Sequence, residues 1–238
     1  MRPSDVARRL AAEAVGTFVL TLVAAGGDAA DFATNGIVGH AARYLAPGLT
    51  VTAMIFTVSG ISGAHINPAV TLAFVVRGVF PIGLAAGYWA AQIVGALLAG
   101  LAVVFAFGAM ASHGANHVGL GLTPAAGVAV EAVLTAILVT VILGTSEEKA
   151  VVGKNAAIAV GFTVAALGLF ASPLTGASMN PARSLGPAIA TLTWTDWWVY
   201  LAGPAAGVLL AVAVVGLIYG PPSEEERSAA HGFFGGKS

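Results

Sequence analysis

Ser62-Gly63-Ala64-His65-Ile66-Asn67-Pro68-Ala69-Val70 and Thr175-Gly176-Ala177-Ser178-Met179-Asn180-Pro181-Ala182-Arg183 are two versions of one string. Asn is a preferred helix N-cap, because its side-chain oxygen accepts from the first unpaired backbone N–H groups, and Pro fits the first helical position. Each string therefore predicts a helix that starts at Asn-Pro-Ala after a Gly-containing loop. About ten residues follow before a break, giving half-helices over 67–77 and 180–190. At 1.5 Å per residue each is roughly 15 Å long, about half the thickness of a bilayer's hydrocarbon core.

The rest of the chain supplies that bilayer setting. Of its 238 residues 58% are hydrophobic and 9% charged, against about 25% charged in a soluble domain. Apolar stretches at about 10–27, 46–60, 81–108, 124–144, 153–171 and 196–219 predict six full spans. Thr123-Pro124 and Pro81 mark helix starts, and Trp194, Trp197, Trp198 and Tyr200 read as interfacial anchors. The N-terminal stretch could pass for a signal peptide, but Glu13 and a matching later segment keep it as the first span. A net charge of -1 gives no nucleic-acid signal, and zero cysteines remove disulfides and thiolate chemistry. Residues 220–238, with Pro221-Pro222 and Glu224 to Glu226, read as a disordered aqueous tail.

Glu13 and Glu131 sit in the similar strings Ala-Glu-Ala-Val and Val-Glu-Ala-Val, so the chain divides into repeats over 1–119 and 120–219. Three spans per repeat is an odd number, so the second repeat enters the membrane from the opposite face. The two half-helices then meet tip to tip near the midplane. Non-helical backbone at that depth must be buried by protein or line a watery cavity, which predicts a pore. Each half-helix aims about +0.5 charge at the meeting point and each Asn amide can donate into the lumen, opposing cations and protons. Arg183 stands one turn beyond Asn180, where the first repeat has Val70, and reads as a fixed cation in the pore. With the N-terminus inside, only Arg43 and Arg183 of the ten basic residues fall outside, which predicts cytoplasmic termini.

These residues resemble the aquaporin, or major intrinsic protein, family over about residues 8–219. The resemblance implies an all-α membrane protein with six transmembrane helices and two re-entrant half-helices, assembled as a homotetramer with one pore per subunit. It implies the motifs Asn67, Pro68, Ala69 and Asn180, Pro181, Ala182, with Asn67 and Asn180 at the pore midpoint. It also implies that Glu13 and Glu131 are buried and hold the re-entrant loops. Counting from the two Asn residues places the outer filter at Pro47, Gly168, Ala177 and Arg183, with Ala46 or Gly48 if the first count slips by one. Water-selective members typically use Phe, His, a small residue and Arg, so the aromatic wall and histidine are missing. Gly168 resembles glycerol channels and nodulin-like channels, Tyr200-Leu201 the nodulin-like ones, while Ser184 stands where glycerol channels carry Asp.

The expected function is a passive channel for water and small uncharged solutes such as glycerol, urea or undissociated metalloid acids. It excludes protons and ions, is not an enzyme, and needs no cofactor or metal. A strictly water-selective channel is the alternative. A secondary transporter is a rival from another class, but both loop tips carry neutral Asn rather than ionisable groups. His65 reads as a structural histidine that satisfies re-entrant-loop carbonyls, and Gln92 as a bridge between helices. Gly83, Gly87, Gly203 and Gly207 read as close-packing positions. His113 and His117 read as surface residues, and the short loops suggest a prokaryotic cytoplasmic membrane.

Overall fold

The computed structural model describes residues 2–146 and 155–232. Six helices are long and apolar enough to cross a membrane: α1 Pro3–Ala33, α2 His40–Ser62, α4 Ile82–Phe107, α5 Pro124–Thr145, α6 Ala156–Thr175 and α8 Val199–Tyr219. Two short helices, α3 Pro68–Val76 and α7 Pro181–Thr191, follow α2 and α6. The 3-10 turn Gly108–Gly114 continues α4, and α9 Glu224–His231 follows α8. Six crossings return the chain to the face where it began; we call this the terminal face and the opposite one the distal face.

The starts follow local chemistry. Thr123 accepts from Ala126 N–H at 3.2 Å ahead of Pro124, whereas Pro81 is itself the N-cap of α4 and makes no side-chain cap. Asn67 and Asn180 each stand in extended backbone and cap the helix that their Pro begins.

Packing runs in matched pairs. α1 lies on α4 as α5 lies on α8, α4 meets α7 as α8 meets α3, and α2 crosses α6. Glycine sets the closest approaches. A Cβ at Gly95 would strike the carbonyl of Ala14, and one at Gly207 that of Ala132, each next to a buried glutamate. At Gly48 a Cβ would lie 2.6 Å from the Gly161 carbonyl, so α2 and α6 meet backbone to backbone. Gly203 packs on Glu131 as expected, but Gly83 has open space beside it, so its small size serves no contact there. Large apolar side chains cover the outside instead, with Phe105 95% and Leu217 88% exposed. That is how a chain surrounded by lipid rather than water spends its hydrophobic residues.

Two further expectations change. Tyr200 is not an interfacial anchor: it is buried, and its hydroxyl donates to Thr175 O at 2.8 Å, while Trp194, Trp197 and Trp198 remain half-exposed. The segment read as a disordered tail carries α9. Ser223 Oγ accepts from Glu226 N–H at 3.1 Å, and Glu224, Glu225 and Glu226 occupy the first turn, where the helix dipole favours acids. Those acids form a helix start, with Glu224 and Glu225 exposed and Glu226 buried. Lys149, Lys154 and Lys237, used in counting charges by side, lie outside the described residues.

Candidate functional site

Two buried carboxylates build the site from behind. Glu13 Oε1 accepts from Ser62 Oγ at 2.6 Å and His65 N–H at 2.9 Å. Its Oε2 accepts from Ile66 N–H at 2.6 Å and Gln92 Nε2 at 2.7 Å. Glu131 repeats the pattern on Thr175 Oγ1 at 2.7 Å, Ser178 N–H at 2.9 Å and Met179 N–H at 2.8 Å. Tyr88 donates to Ser62 O as Tyr200 does to Thr175 O. These bonds hold backbone that ordinary residues avoid, with Ala64 at φ 52, Ile66 at φ 42, Ala177 at φ 48 and Met179 at φ 54. Gln92 joins Glu13 to Thr71 Oγ1, 3.0 Å away, and so bridges α1, α3 and α4.

The loops so held bring the two Asn residues together. Asn67 Nδ2 donates to Met179 O at 2.8 Å and Asn180 Nδ2 to Ile66 O at 3.0 Å, so each half-helix start is stitched to the other loop. Each Asn oxygen caps its own helix, on Ala69 N–H at 2.8 Å and Ala182 N–H at 3.0 Å. One of each amide's two N–H groups is therefore spent across the junction, leaving one for the cavity that both residues line.

That cavity, about 940 Å³, runs from Arg43 and Arg183 past Asn67 and Asn180 to Ser228 and Gly232. Pro47, Gly168 and Ala177 all line it, and so does the aromatic side chain of Tyr44. Tyr44, one helical turn before Pro47, lies against Gly168, where a Cβ would come within 3.1 Å of the tyrosine's own. Gly168 therefore makes room for Tyr44.

Arg183 is also not a lone cation. Its Nη2 donates to Asp28 Oδ2 at 3.1 Å, and the other oxygen of Asp28 takes Arg43 Nε at 2.8 Å. Arg43 further donates to Asp31 Oδ2 at 2.9 Å and Tyr44 OH at 2.9 Å. α1 runs past the expected end of the first span to Ala33, which carries Asp28 and Asp31 up to the distal mouth. Their spacing of three on one helix face, at a span end, was the available signal. The loop after α4 contributes too: Asn116 is buried and donates to Ser184 Oγ at 3.0 Å. His113 and His117 of that loop are exposed, His113 stacking on Phe32.

At the terminal end α9 lies under the first re-entrant loop. His65 Nε2 is 3.0 Å from Ala230 O, so the histidine's carbonyl partner comes from α9 and not from the loop itself; Nδ1 meets Thr71 Oγ1 at 3.1 Å. Arg77 Nε pairs with Glu226 at 3.0 Å, with both side chains nearly solvent-free. Glu225, Ser228, Ala229 and Gly232 line the terminal end of the cavity.

Known proteins share this arrangement. The Major intrinsic protein family profile matches residues 1–219. Aquaporin NIP1-3 of Oryza sativa subsp. japonica is 39% identical over 216 residues, 89% of this chain and 74% of that one. A probable aquaporin NIP-type of Nicotiana alata is 38% identical over 215 residues, 90% and 78% of the two chains. An X-ray structure of the aquaglyceroporin from Plasmodium falciparum superposes with a TM-score of 0.81 at 24% identity, covering 90% of this chain and 96% of that one, a likeness of fold. The sequence relatives named here are plant proteins and lend no support to a prokaryotic host. With two capped half-helices meeting inside six spans and a family profile that covers them all, the chain belongs to the major intrinsic protein family of aquaporin channels.

Proposed function

We propose that the chain is a passive channel for water and for small uncharged solutes, such as glycerol, urea or undissociated boric acid. The observation that carries this reading is the cavity of about 940 Å³ with Asn67 and Asn180 meeting inside it and no ionisable side chain at their tips. Two helix N-termini converge there, each about +0.5 charge, which opposes protons and cations while neutral molecules pass by exchanging hydrogen bonds. The outer filter is Arg183, Gly168 and Ala177, with Tyr44 and Pro47 forming the α2 wall. The terminal face is cytoplasmic, the two repeats divide near residue 119, and the working unit is a homotetramer; family membership supports these last assignments.

Proteoliposomes holding the purified chain should shrink rapidly under a sucrose step and then re-swell on glycerol, urea or boric acid, with no pH change inside. Water flux with none of the three solutes taken up returns the strictly water-selective reading. Saturable uptake driven by an ion gradient returns the transporter.

Tyr44 gives a sharper test of the filter. Replacing it by Ala opens the space against Gly168, so the ratio of glycerol to water permeability should rise several-fold. An unchanged ratio places the constriction elsewhere.

A further inference from the structure

We propose that Asp28 is the positioning residue of the outer filter, clamping Arg183 and Arg43 into one pair of guanidinium forks. Arg43 thereby becomes a second specificity-determining residue. This rests on the channel reading above and deepens it.

The geometry is of one carboxylate divided between two cations. Asp28 Oδ2 holds Arg183 and Oδ1 holds Arg43, so neither guanidinium moves without disturbing the other. Asp31 and the Tyr44 hydroxyl take the two remaining nitrogens of Arg43, which fixes its plane, and Asp31 is itself held by Gly39 N–H at 2.8 Å. The Arg183 and Asp28 side chains are only 7% and 10% exposed, so water screens the pair little. Both arginines line the cavity. A guanidinium has five N–H donors. The two contacts of Arg183, to Asp28 and at 3.5 Å to Gly114 O, leave donors for whatever passes.

Charge gives Asp28 a second task. Arg43 and Arg183 stand against Asp28 and Asp31, so the distal mouth is formally neutral. Without Asp28 two arginines would face one carboxylate, beside a half-helix start that is itself positive. Such a mouth attracts small anions. With Asp28 it offers fork donors and no net field, which suits neutral solutes rich in oxygen acceptors over ions of either sign.

The test compares wild type, D28N, R43Q, the double variant and D28E in proteoliposomes, reading water, glycerol and boric acid permeability and the efflux of chloride. D28N keeps the shape but loses the charge, so the glycerol-to-water ratio falls several-fold and chloride efflux rises above that of empty vesicles. The double variant restores charge balance, so chloride efflux returns to background while the glycerol ratio stays low. D28E recovers much of the ratio. A merely structural Asp28 would lower every flux together, with no rescue of chloride retention by a second substitution, and that result overturns the proposal. So does a D28N channel with wild-type ratios. If D28N does not reconstitute, R43Q decides alone: a reduced glycerol ratio without chloride leak supports the fork pair, and an unchanged ratio overturns it. A wild type that passes water but no solute overturns the wider channel reading instead, and chloride retention still tests Asp28.

Discussion

A chain ended after Pro222 should conduct water several-fold faster per channel than the full chain in a stopped-flow shrinkage assay. The expectation follows from where α9 lies. Residues 225, 228, 229 and 232 line the terminal end of the cavity, and a Cβ at Gly63 of the re-entrant loop would come within 2.6 Å of the Ala230 carbonyl. The helix thus sits on the loop itself, not beside it. Its anchors are the buried Arg77–Glu226 pair at 3.0 Å, the Ala230 carbonyl on His65, and His231 against Phe80 with ring centroids 5.0 Å apart. Removing one partner of a buried ion pair costs about 3–5 kcal/mol, so E226Q should release the helix and reproduce part of the truncation's gain. Equal permeability of the full and shortened chains would show that α9 leaves the mouth open.

The same helix should make the flux pH-dependent. Burial holds His231 below its usual value of 6.5, and the neighbouring cations Arg9 and Arg227 push in the same direction, while a backbone bond at Val79 opposes them. Arg9 is itself buried, its Nε and Nη1 have no hydrogen-bond partner, and no carboxylate pairs with it among the described residues, so a second positive charge beside it is poorly compensated. Docked α9 therefore favours neutral imidazole. Its docking is fully present above the free value of 6.5 and is lost as pH falls toward the lower, docked value. Water permeability should rise on acidification below that point in wild type and stay flat in H231Q, and a wild type that does not respond counts against the lid.

The second large effect is the loss of a folded channel on replacing Glu131 by Ala. Glu131 takes two buried backbone N–H groups, of Ser178 and Met179, and the hydroxyl of Thr175. Each orphaned donor costs about 1–3 kcal/mol, and the loop they hold contains two non-glycine residues at positive φ, Ala177 and Met179. Against a total stability of about 5–15 kcal/mol the loop cannot keep its shape. E131A should melt well below wild type in detergent and pass no water after reconstitution. E131Q keeps an oxygen for one side but turns an NH₂ group toward another donor, so it should fall between. A wild-type melting temperature with wild-type flux for E131A would show that the loop holds without its carboxylate.

Much of this was open to a reader of the sequence because the deciding chemistry is local. An Asn that caps the residues just after it, a Pro at the first helical position and a run of about 20 apolar residues each speak within a few turns of chain. The family resemblance carried by the repeated loop strings implied that Glu13 and Glu131 hold the loops, and the structure supplies the bonds. The filter was legible only in part. Counting along the chain reached Pro47, Gly168, Ala177 and Arg183, but not Tyr44, which fills the space beside Gly168, nor Asn116 in the dipping loop.

What the sequence determined by itself, then, is the bilayer setting, the six spans, the paired helix starts and the convergence of two positive helix ends. Hydropathy and capping are properties of neighbouring residues, so they survive without a fold. Only the tertiary structure decided what surrounds Arg183 and what lies beneath His65. Asp28 and Arg183 are 155 residues apart, and His65 and Ala230 are 165 apart. Their meeting depends on how each helix is rotated about its axis and how far it runs past the membrane, and no window of sequence carries that.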